Sequence, residues 1–155
     1  MTRIALLFAT AALAFAADPS ARAQFNQLKT LAGKWEGKSP DGHTSNTTYE
    51  LISSGTALLE RMPHDSMTSV YHMDGDRVLL THYCGAGNQP RLALSVEGNV
   101  YTFSYIDATN ITSPKVPIIV KMVLRIVDKD NIVQEWVSRT DGKLDSLVVE
   151  LHRVK

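Results

Sequence analysis

Apolar and polar residues alternate with a period of two along most of the chain, in short runs divided by Gly, Asp, Asn and Pro. That period puts successive side chains on opposite faces of a strand. The runs predict ten strands, at 34–38, 47–53, 57–61, 68–73, 78–84, 91–97, 100–106, 118–127, 132–139 and 144–154. Before them, in the stretch 24–31, Phe25, Leu28 and Leu31 recur at helical spacing, and Gly33 follows as a C-cap. One short helix therefore precedes the strands.

Two turns fix the register of their hairpins. With Gly98-Asn99 as a two-residue loop, Val96 faces Tyr101, Leu94 faces Phe103 and Leu92 faces Tyr105. With Asp141-Gly142, Trp136 faces Leu147, Gln134 faces Val149 and Ile132 faces Leu151. Each register gathers an apolar face, so turn chemistry and burial agree. Consecutive hairpins pair neighbours, and closure removes exposed edges. The expected fold is all-β: a single antiparallel up-and-down barrel of about 8–10 strands with one short N-terminal helix. A sandwich, using the long connection 107–117, comes second.

The first 23 residues have the pattern of a cleaved leader. Arg3 is followed by an uncharged apolar stretch from Ile4 to Ala17, and Ala21-Arg22-Ala23 supplies the small residues a signal peptidase needs. The stretch is short for a membrane span, which needs about 20 apolar residues. Export to a periplasm or beyond is expected, leaving 24–155 as one domain with no further membrane association. Removing Arg3, Arg22 and Asp18 leaves 14 basic and 15 acidic residues. No basic patch is visible, which argues against nucleic acid as a partner. Cys84 is the single cysteine, so no intrachain disulfide can form.

The run Gly33-Lys34-Trp35-Glu36-Gly37 resembles the GxW element that opens the first strand of calycin barrels: lipocalins, fatty-acid-binding proteins and nitrobindin-like proteins. The resemblance implies a barrel around a cavity holding a small hydrophobic or amphiphilic molecule. It also implies a basic residue of the last strand lying across the tryptophan. Arg153, continuing the face of Leu147, Val149 and Leu151, fills that role. The nitrobindin-like pattern extends to a third glycine, where this chain has Ser39, so haem is not carried over and the cofactor stays open. A more local run, YHMDGD followed by LLTHYCGAGNQPR, resembles a pattern in uncharacterised secreted bacterial proteins.

Candidate chemistry concentrates around that second run. Alternation places Val78, Leu80, His82 and Cys84 on one face, so His82 and Cys84 are expected at the cavity rim with Arg91 beside them. Tyr101, Tyr105 and Trp136 would form an aromatic floor. The fatty-acid-binding comparison adds Arg125, which a two-residue turn within 128–131 would pair with Gln134 as a carboxylate clamp. The other reading leaves Arg125 in solvent, with Met122 and Leu124 facing inward. His82 and Cys84 at i and i+2 are loosely spaced for a direct thiolate–imidazole pair. His72 falls on the opposite face from His82 in either two-residue register of the turn at 74–76 and joins it only with a three-residue loop, so no metal site is assigned. His43 and His64 sit in loops. The leading expectation is an exported binding barrel acting as carrier, scavenger or sensor. The alternatives are a cavity enzyme using His82 with Cys84 or Glu60, and a structural protein with a filled barrel. No nucleophile–base–orienter set is evident, which favours binding over catalysis.

Overall fold

The computed structural model describes residues 20–38, 42, 44–63 and 66–155. Residues 1–19, Ser39, His43 and His64 lie outside the described residues. A helix α1 (Ala21–Lys29) leads into β1 (Gly33–Lys38), β2 (Thr44–Ile52), β3 (Ala57–Met62), β4 (Met67–Asp74) and β5 (Arg77–Tyr83). The chain continues through β6 (Gln89–Glu97), β7 (Val100–Thr109), β8 (Ile118–Ile126), β9 (Asn131–Thr140) and β10 (Lys143–Arg153). Each strand pairs antiparallel with its neighbour in the chain, and β1 also pairs with β10, so the sheet closes into an up-and-down barrel. Both predicted hairpin registers hold: Val96 opposes Tyr101 and Leu92 opposes Tyr105, while Trp136 opposes Leu147 and Ile132 opposes Leu151.

The helix differs in its ends. Ser20 Oγ accepts the Ala23 N–H at 3.3 Å, so α1 begins at Ala21 rather than residue 24. It stops at Lys29, and Gly33 is not its C-cap but the first residue of β1, at φ +136°. The positive φ favours glycine there, and a Cβ would lie 2.8 Å from Arg153 Nη1 and displace the tip of that side chain. Phe25, Leu28 and Leu31 bury into the core beside Trp35, Tyr49 and Tyr71. The helix thereby lies across one end of the barrel, the end formed by the turns at 53–56 and 98–99.

Trp35 anchors that end. It is 1% exposed, its Nε1 donates to Leu31 O at 2.8 Å, and the Arg153 guanidinium carbon lies 4.3 Å from its ring centroid. The pairing of Trp35 with Arg153 in the β1–β10 ladder brings the two together. Arg153 also donates to the carbonyls of Thr30, Ala32 and Lys129. Gly37 has a different constraint: a Cβ would sit 1.8 Å from Glu150 O in the adjacent strand. Gly37→Ala should therefore force β1 away from β10 and cost about 2–3 kcal/mol, as overpacking does, measurable by urea denaturation. An unchanged midpoint would refute the close approach.

Candidate functional site

One register row crosses four strands on the inner face. Tyr49 of β2 opposes Glu60 of β3, Glu60 opposes Ser69 of β4, and Ser69 opposes His82 of β5. Directly opposed side chains on one face stand within about 5 Å of each other at Cβ, so the row becomes a continuous polar string. All four residues are buried. Tyr49 donates its hydroxyl to Glu60 Oε1 at 2.7 Å, and Tyr71, one step along β4, donates to Oε2 at 2.6 Å. Across the barrel Gln134 of β9 reaches Glu60 Oε1 and the Tyr49 hydroxyl, each at 2.6 Å. Trp136 Nε1 donates to Gln134 Oε1 at 3.2 Å. An indole N–H can only donate, so this bond fixes the Gln134 amide with its nitrogen toward Glu60.

Glu60 is thus a buried carboxyl that accepts from Tyr49, Tyr71 and Gln134, with no cation beside it among the described residues. Burial raises its pKa, opposed by hydrogen bonds from Tyr71, Gln134, Tyr49 and Ser69. The same burial, with the Glu60 charge second, raises Tyr49 and Tyr71 well above the usual phenol value. At the end of the row, Ser69 Oγ and His82 Nδ1 are 3.0 Å apart. His82 is 1% exposed, its ring centroid is 5.0 Å from that of Trp136, and among the described residues its Nε2 has no hydrogen-bond partner.

That imidazole borders a cavity of about 210 Å³ at the barrel end opposite α1. Its apolar wall comes from Met62, Met67, Ile119, Trp136 and Val149, with Gln134, Ser45 and Ser138 among the polar contributors. The lining reaches the surface at Asp145, Ser146 and Leu147 of β10, all exposed. There the barrel has a seam. β1 pairs with β10 only from Glu150 to Arg153, so among the described residues the first seven residues of β10 have a β9 partner and no β1 partner.

Of the residues expected at the site, His82, Gln134 and Trp136 come together at this cavity. The others are placed elsewhere, each for a definable reason. Cys84 does not continue the face of His82, because β5 ends at Tyr83 and Cys84 opens a turn closed by its N–H bond to Asn88 O. Arg91 is exposed and locked in a two-pronged salt bridge with Asp107. Tyr101 is buried at the opposite end, near Gly98, Asn99 and Gln27 of the helix. Tyr105 is 36% exposed, because β8 pairs with β7 only as far as Ser104 and the wall is open beyond it. Arg125 opposes Val133, while Leu124 opposes Gln134. The turn between β8 and β9 is longer than two residues, which shifts the register by one and turns Arg125 to solvent.

The Gly-Asn-Gln-Pro-Arg run is a fastening rather than a rim. Asn88 Nδ2 donates to Pro117 O at 2.9 Å, and Gln89 Oε1 accepts from Thr109 and Asn110. Sequence reasoning placed Glu60 only in an alternative and passed over Tyr49, Tyr71 and Ser69. A signal existed: Leu58, Glu60 and Met62 alternate on one face of β3, and that face is otherwise apolar.

Burial holds the His82 pKa down, to about 4 from 6.5. A base whose folded pKa is lowered stabilises the fold above its unfolded value, and loses that contribution as pH falls toward the folded one. Glu60, with its raised pKa, acts in the opposite sense over this range. The difference in stability between wild type and His82→Phe isolates the histidine. It should shrink by about 3 kcal/mol between neutral pH and pH 4, read from urea midpoints. A difference independent of pH would show that His82 is not held neutral.

No family model and no curated protein matches the chain. Among solved structures, the crystal structure of Rv2717c from M. tuberculosis is similar, at TM-score 0.55 and 19% identity, over 84% of this chain and 97% of that one. At that identity the similarity establishes a common barrel fold.

Proposed function

We propose that this chain is an exported, lipocalin-like barrel that holds one small, mainly apolar molecule in the cavity beside His82. The observation that carries the reading is the buried, unpartnered Nε2 of His82 at a largely apolar cavity wall. A buried polar atom left unpaired costs about 1–3 kcal/mol, and a bound polar group offsets that cost. Few polar groups converging in an apolar pocket are the usual design of small-molecule sites. The seam along β10 supplies access. Export rests on the leader pattern; cleavage after Ala23 would remove the Ser20 cap and the first three residues of α1 and leave its buried Phe25 and Leu28 in the domain.

The cavity-enzyme reading draws on the same row, since Ser69 and Glu60 orient His82. A general base works best with a pKa near the operating pH, and His82 at about 4 is far below it. Binding is therefore the better reading. Native mass spectrometry of protein from its producing cell should find a co-purified small mass. NMR titration with para-ethylphenol should shift His82, Gln134, Trp136 and Val149 together. Shifts confined to the outer surface, with no co-purified mass, would favour a filled, structural barrel.

A further inference from the structure

We infer that the cavity is built for an uncharged ligand that donates a hydrogen bond, a phenol, alcohol or indole-like N–H, and that it rejects carboxylates. This rests on the binding function proposed above and narrows it to a ligand class.

The protons along the row set the histidine tautomer. At Oε1, Glu60 faces the Gln134 amide nitrogen and can only accept. The hydroxyls of Tyr49 and Tyr71 donate to the carboxylate, and Ser69 stands directly opposite Glu60 in the β3–β4 ladder. Ser69 has a single proton, and the carboxylate facing it across the ladder draws that proton its way, so Oγ is left as an acceptor toward His82 Nδ1, 3.0 Å away. The neutral imidazole must then carry its proton on Nδ1, where it donates to Ser69. Its Nε2 is left as a bare lone pair at the cavity wall. Glu60, two residues removed from the cavity along this relay, thereby sets which kind of group the cavity accepts.

Charge points the same way. Among the described residues the lining holds no lysine or arginine, and its one formal charge is Asp145. A carboxylate ligand would meet a lone pair and a negative rim with no cation to pair it. Arg125, the residue a fatty-acid clamp would need, lies outside. Size sets a further bound: a dry cavity of about 150 Å³ admits benzene, so about 210 Å³ suits one substituted ring, with any tail leaving along the β10 seam.

The test compares para-ethylphenol, para-ethylanisole and para-ethylbenzoate by calorimetry and NMR, on wild type and on His82→Phe. Wild type should bind the phenol about tenfold more tightly than the anisole, with the benzoate weakest. In His82→Phe the preference for the phenol should fall to within about twofold, with anisole binding retained. Nitrogen NMR of the free wild-type protein should find His82 protonated at Nδ1 and bare at Nε2, a readout that needs no variant to fold. Equal binding of phenol and anisole, or a proton on Nε2, would overturn this inference and leave the binding function standing. Binding of none of the three at the cavity would overturn both.

Discussion

Glu60→Leu is expected to cost about 4 kcal/mol, although leucine fits the apolar character of the neighbouring core. The substitution leaves the hydroxyls of Tyr49 and Tyr71 and the Gln134 amide without their shared acceptor, in a place water does not reach. Each stranded buried donor costs about 1–3 kcal/mol, reduced where two of them can pair with one another. Gln134 keeps the Tyr49 hydroxyl as a partner, so the sum stays below the simple total. The triple variant Glu60→Leu, Tyr49→Phe, Tyr71→Phe removes the orphaned hydroxyls together with the charge. It should recover part of the loss, with the Gln134 amide left as the unpaired donor, because polar partners replaced together by apolar groups of similar shape are close to neutral. Urea denaturation of the two variants decides the matter. A triple variant less stable than the single one would mean that the tyrosine hydroxyls contribute through partners other than Glu60.

Trp35→Ala should cost about 3–5 kcal/mol, the range for deleting a large buried aromatic side chain. The loss has parts that can be separated. Besides its own burial, the ring gives up the Leu31 hydrogen bond, an edge contact with Tyr49 at 6.5 Å, and the guanidinium of Arg153. Arg153→Ala should cost about 2 kcal/mol by itself, from the cation–π contact and the carbonyls of Thr30, Ala32 and Lys129 that it satisfies. Because the two residues touch, the double variant should be less destabilised than the sum. Strict additivity in a double-mutant cycle would deny their coupling. In a Trp136→Phe background, Trp35 emission should be blue-shifted and resist iodide.

The barrel was legible because its strands announce themselves twice, by alternation and by turn residues that tolerate positive φ. Gly98 and Asp141-Gly142 adopt positive φ, and the registers they set are those observed. The site was legible only in part. Strand alternation gave the facing of His82, Gln134 and Trp136, but not where along the barrel axis an inward residue lies. Tyr101 and Trp136 both face inward, yet they sit toward opposite ends, because depth depends on the stagger accumulated around the whole sheet. Arg125 was lost to one loop whose length the sequence does not state. The Glu60 row was missed because its members come from four strands with no common spacing, and only the closed ladder lines them up.

The closure of the sheet also orders events in the making of the molecule. β1 has β2 on one side and β10 on the other, so the first strand to be synthesised waits for the last. Arg153 then fastens to carbonyls 121 and 123 positions earlier in the chain. A nascent polypeptide that lacks its final strand keeps two raw sheet edges, which invite pairing with other chains, and contacts so distant in sequence form slowly. Shielding during synthesis, or passage across a membrane before folding, would keep those edges apart from others of their kind. Truncation or a bulky fusion at the C-terminus should accordingly act on yield and aggregation before it acts on ligand affinity. The barrel cannot be finished before β10 has been made.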